Sequence, residues 1–78
     1  MLNVKDYPGC ISVETMRAYF EGMIKGTPAF AANTPLGAIT INDSFSHYAN
    51  PDTDTTWLGF AMGMRCAERV EKAKAAQP

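Results

Sequence analysis

His47 is the only histidine of the 78-residue chain, and it stands among Ser44, Ser46 and Asp43, the residue types of a Ser-His-Asp hydrolase site. Such a site needs a rigid scaffold that holds the imidazole between nucleophile and acid. The segment around His47 reads at best as a short hairpin, whose alternation sets Ser46 and His47 on opposite faces. A solvent-exposed or hydrogen-bonded histidine is therefore expected, and no enzyme. Asp43, Asp52 and Asp54, with His47 between them, form a second donor set free of Lys and Arg. The residue order of an EF-hand loop is missing, so Asp52 and Asp54 read more simply as negative charges at the start of a helix. No metal and no cofactor are expected.

Cys10 and Cys66 stand far apart with no CxxC pairing, so a structural zinc lacks ligands and a redox dithiol lacks its motif. Two reduced thiols are expected, Cys66 half-buried on a helix; a disulfide would require the helices to bring the two together. Arg65, Arg69, Lys72 and Lys74 form a basic run that Glu68 and Glu71 interrupt, which reads as a solvated helix face. Seven Lys and Arg against eight Asp and Glu leave a net charge of -1, so composition supplies no pull toward nucleic acid or anionic membrane. Nucleic-acid binding ranks last among the functions considered.

These residues need elements to position them, and 78 residues make one small domain, 1–78. Ile, Leu and Val together number ten, against eleven Ala and five Met, so the core leans on aromatic and methionine side chains and favours helices. Val13, Met16, Phe20 and Met23 follow helical spacing from Ser12 to Lys25. Ser12 is the expected N-cap, with Ile11 and Met16 as a hydrophobic staple, and Gly26 before Pro28 the expected left-handed stop. A second helix starts at Asn50-Pro51-Asp52, with Trp57, Phe60, Ala61, Met64, Ala67 and Val70 on its apolar face. The residues through Pro78 have nothing to bury and are expected to fray.

Between the helices, Ala38-Ile39-Thr40-Ile41, a turn at Asn42-Asp43-Ser44 and Phe45 to Tyr48 suggest a short hairpin. The alternative is an irregular excursion closed by Phe30, Phe45 and Tyr48 packing inward. The expected fold is thus α, or a small α+β of αββα order: two antiparallel helices with a loop-rich middle. No secretory leader is expected, because Lys5, Asp6 and Pro8 break up the first ten positions, and no membrane span, so the location expected is cytoplasmic.

Tyr19-Phe20-Glu21, then Tyr48-Ala49-Asn50-Pro51-Asp52-Thr53, then Trp57-Leu58-Gly59-Phe60 give the chain a likeness over positions 19 to 65. It resembles small accessory proteins of tailed bacteriophages, departing from their pattern at Met23 and Phe60, where Trp is more typical. The resemblance implies a non-enzymatic, phage-encoded protein acting on a host protein or complex as an inhibitor or defence antagonist, in the host cytoplasm. It implies no catalytic residue.

The surface expected to carry a protein interaction combines Asp43, Phe45, His47, Tyr48, Asp52 and Asp54, aromatic anchors with acidic steering. Gly59 and Gly63, four apart within the second helix, each cost about 1 kcal/mol relative to Ala and call for close packing. The first helix of the same chain is the expected neighbour there; the alternative is a homodimer seam. Met62 and Leu58 form a further apolar strip on that helix.

Overall fold

The computed structural model describes residues 3–76. A 3-10 turn at Val4–Asp6 precedes three helices, α1 (Val13–Lys25), α2 (Pro28–Asn33) and α3 (Pro51–Ala76), with strands β1 (Ala38–Ile41) and β2 (Ser44–Tyr48) between α2 and α3. The small α+β reading holds, with the hairpin rather than the irregular excursion in the middle. No helix of the described residues is long and apolar enough to cross a membrane.

Helix α1 starts where its cap requires. Ser12 Oγ accepts from the Thr15 amide at 3.1 Å, Glu14 lies in the first turn and Lys25 in the last. Met16, Phe20 and Ile24, four apart, form its buried stripe. Gly26 departs from expectation: with φ -77 and ψ -9 it stays right-handed, its amide still donating to Gly22 O. The chain then turns directly into α2 at Pro28, a helix that the prolines and small residues had suggested to be loop. Phe30 lies there exposed rather than packing inward.

Helix α3 begins at its expected cap, with Asn50 Oδ1 accepting from the amides of Asp52 and Thr53, both at 3.0 Å, and Pro51 in the first turn. Its buried stripe is Thr53, Trp57, Ala61 and Arg65. Ile11, just before α1, lies beside Met64 and Glu68, whereas Ile24 near its end shares a depression with Thr56, so the two long helices run antiparallel. The core comprises Val4, Met16, Phe20, Ile24, Phe45, Tyr48, Trp57 and Ala61. Rings dominate it: Phe20 lies 5.5 Å from both Trp57 and Phe60 and 5.6 Å from Tyr48, centroid to centroid. Of the expected apolar faces, Val13, Phe60 and Met64 pack partly buried against it, whereas Met23, 51% exposed, Ala67 and Val70 lie exposed. From Arg69 onward α3 projects with every side chain exposed through Ala76, the end of the described helix; the fraying expected up to Pro78 falls partly outside the described residues.

The hairpin closes through Asn42 (φ 53) and Asp43 (φ 62), a two-residue turn with both residues left-handed, which Asn and Asp tolerate better than other side chains. Its register pairs Ala38 with Tyr48 and Ile39 with His47, then Thr40 with Phe45 and Ile41 with Ser44, so Ser46 is an extra residue in β2. The bulge explains the core. Phe45 and Tyr48 are three apart and would face opposite sides of a regular strand; with the extra residue between them both turn inward.

Candidate functional site

The six residues expected to form one surface divide between core and exterior. Phe45 and Tyr48 are buried and hold the hairpin to the helices, so neither is available as an interface anchor. Asp43 is exposed at the hairpin tip and Asp52 exposed at the start of α3, while half-buried Asp54 accepts the Tyr48 amide through Oδ1 at 2.9 Å. His47 is half-buried and lines a shallow depression with Asp54, Thr55 and Leu58. Among the described residues, no three of the His, Cys, Asp and Glu side chains gather where they could hold a metal ion.

The bulge also overturns the expectation that Ser46 and His47 face apart: Ser46 Oγ lies 2.9 Å from His47 Nδ1. A hydroxyl and an imidazole in contact are two parts of a nucleophile–base pair. The third part is missing: among the described residues no carboxylate bonds the imidazole, and Asp43 and Asp54 are engaged elsewhere or exposed.

On the inner side of the hairpin, Arg17 lies with its guanidinium carbon 4.0 Å from the Phe45 ring centroid and donates to Tyr48 Oη at 3.4 Å and Glu21 at 3.1 Å. Tyr48 Oη donates to the same Glu21 oxygen at 2.7 Å. Burial opposes the charge on Arg17, but Tyr48 and Glu21 outweigh it and raise its pKa. The Tyr48 hydroxyl is pushed up to about 12, chiefly by burial. This cluster is structural: it fixes the hairpin against α1.

A second polar cluster went unrecognised in the sequence. Arg65, expected on a solvated basic face, is buried and donates through Nε to Tyr7 O at 2.7 Å and through Nη1 to Ile11 O at 2.6 Å. Glu68 pairs with Arg65 at 3.2 Å and accepts the Ile11 amide at 2.6 Å. That backbone bond, ahead of the arginine, lowers the Glu68 pKa. The two side chains clamp the segment 7–11 onto α3, and Gly9 passes so close that a Cβ there would collide with both.

The outer strand carries the feature most like a contact site. Residues paired across antiparallel strands share a face, so Ala38 and Thr40, opposite Tyr48 and Phe45, stand on the core side, and Ile39 and Ile41 point away. All four residues of β1 are exposed, Ile39 at 39% and Ile41 at 57%. The two edges differ as well. The outer edge of β2 is covered, its Ser46 carbonyl accepting from Asn3 Nδ2 and its Tyr48 amide bound to Asp54, both at 2.9 Å. Gly37 O accepts the Ala49 amide at 2.8 Å on the inner side, so the next residue, Ala38, directs its amide to the open edge of β1, where the described residues supply no partner.

A separate apolar groove runs between α1 and α3 on the side away from the hairpin, lined by Ile11, Tyr19, Met23, Phe60 and Met64. Gly63 and Gly59 lie on the α3 shoulder beside it, and nothing stands within 4 Å of the position of a Cβ at either. Close packing of α1 against these glycines, the expected intrachain arrangement, is therefore not what the fold does. Cys10 and Cys66 are free thiols and both exposed, Cys66 more so than expected. Met62 is exposed and Leu58 half-buried against the core. No family model matches the chain, and no curated protein or solved structure matches it either.

Proposed function

We propose that the protein is a non-enzymatic protein-binding module whose contact element is the β-hairpin, above all the outer strand β1. The observation that carries this reading is the exposed apolar strand β1. Ile39 and Ile41 face solvent on a strand without charge or proline, and among the described residues no side chain hydrogen-bonds its open edge, whereas β2 has its edge covered. An uncovered apolar edge suits a partner that adds an extended segment in register, main chain supplying the hydrogen bonds and the isoleucines the specificity. Asp43 at the tip supplies charge that steers the encounter without bearing on the core. The partner is then a protein with an accessible strand or extended peptide; the phage resemblance makes it a host protein or complex that this chain occupies and inhibits.

The test compares the parent with the Ile39→Thr/Ile41→Thr double variant, which keeps β-propensity and removes the apolar face. Tagged protein is recovered from the native cell and the co-purifying partner is then titrated against both. Binding by the parent, lost in the double variant at unchanged thermal stability, supports the reading. Equal binding by both refutes it.

A further inference from the structure

The groove between α1 and α3 is a second unpartnered surface, and its chemistry selects one occupant. We propose that it is covered by a second copy of the chain, whose α3 lies antiparallel along this α3 in a two-fold symmetric dimer. This does not depend on the hairpin reading.

Three observations carry it. Tyr19, 64% exposed, and Met23, 51% exposed, rise from α1 along one wall of the groove, contiguous apolar surface of the kind that partners cover. Along α3 the matching face is spaced 4-3-4-3-4 through Thr56, Phe60, Gly63, Ala67, Val70 and Lys74, the interval of a helix–helix seam. All of these except half-buried Phe60 are exposed, and Gly63 leaves open space where a partner backbone would approach.

Self-complementarity then fixes the orientation. In a two-fold interface, residue i meets j and j meets i. An antiparallel register centred on Gly63 sets Thr56 opposite the partner's Val70 and brings the large Phe60 within one residue of the partner's small Ala67. The same register sets the exposed acid Asp52, at the start of α3, against Lys74 near its end. Among the described residues of its own chain Lys74 pairs with the exposed Glu71, at 4.0 Å. A parallel arrangement would instead stack Asp52 on Asp52 and Lys74 on Lys74. Size and charge therefore select the same antiparallel register.

Sedimentation of the parent over a range of concentrations is expected to show a monomer–dimer equilibrium. Gly63→Leu fills the seam, the position of its Cβ having open space around it, and is expected to weaken the dimer at least tenfold while helical circular dichroism is retained. Lys74→Glu or Asp52→Lys alone is expected to weaken dimerisation several-fold at low salt, and the two together to restore it, because the swap rebuilds the pair in the opposite sense. A parent that stays monomeric at millimolar concentration overturns the proposal, as does a Gly63→Leu protein that dimerises like the parent. Failure of the double swap to restore the affinity lost in the single variants overturns the antiparallel arrangement.

Discussion

Replacing Arg65 with Ala should cost more than any other surface-reaching substitution in the chain. The side chain is only 7% exposed, and its guanidinium makes hydrogen bonds of 2.7 Å and 2.6 Å to two backbone carbonyls besides pairing with Glu68. Hydrogen bonds to charged groups contribute about 1.5–3 kcal/mol each, and breaking a buried pair by deleting one partner costs about 3–5 kcal/mol. These overlap, so the expected loss is about 3–5 kcal/mol, against a total near 4–12 kcal/mol at about 0.05–0.15 kcal/mol per residue. Arg65→Lys keeps the charge but cannot span two carbonyls and a carboxylate together, and should cost about half as much. Urea unfolding followed by the fluorescence of Trp57, the only tryptophan and fully buried, reads the change directly. The partner side chain adds a pH signature. Because folding lowers the Glu68 pKa from the ordinary 4.5, its contribution is present above that value and lost as the pH falls through the lower folded value. Glu68→Gln should remove this part of the acid sensitivity. An Arg65→Ala protein within about 1 kcal/mol of the parent would refute the clamp, since no buried charge-assisted network comes apart so cheaply.

Other substitutions probe other parts of the fold. Trp57→Ala removes the ring that meets Phe20, Phe45, Tyr48 and Phe60 and should cost about 3–5 kcal/mol, seen as loss of the cooperative melt; an unchanged melt would place Trp57 outside the core. Tyr48→Phe should alter the alkaline limb: with its folded pKa raised to about 12 from 10.0, the hydroxyl contributes stability below pH 10 that is lost as pH rises through 12, and the variant should lack that transition in a pH-dependent melt. Asp43→Gly relieves a left-handed residue in the hairpin turn, worth about 1–2 kcal/mol, against about 0.5–1 kcal/mol of added freedom in the unfolded chain, and should raise stability slightly in the same urea assay. Gly9→Ala, crowding the clamp, should lower it.

Both long helices were legible because their signals are local. Ser12 and Asn50 cap them, and the apolar stripes recur at helical spacing within each segment. The hairpin was legible from Asn42-Asp43-Ser44 and the β-branched run before it. The bulge was not, since an extra residue leaves no mark on alternation until the partner strand is known; the inward packing of Phe45 and Tyr48 was expected of an irregular middle segment, not of a strand. The Arg65 clamp was hidden for a different reason. Its backbone partners, Tyr7 and Ile11, lie 58 and 54 residues away, and nothing in a basic helix end announces that one arginine turns inward. A partial signal existed: Thr53, Trp57, Ala61 and Arg65 are four apart, so Arg65 continues the core stripe. Phe45 and Tyr48, expected on a contact surface, are buried, and the isoleucines of β1 were read as strand formers rather than as outward-facing groups.

Hydrogen exchange of the backbone amides, with and without the partner recovered from the native cell, tests the binding proposal most directly. Addition of a strand to β1 should protect the open-edge amides, that of Ala38 among them, while amides already paired with β2 change little. Protection confined to α1 and α3, with the open edge of β1 exchanging as fast in the complex as in the free protein, would contradict the account.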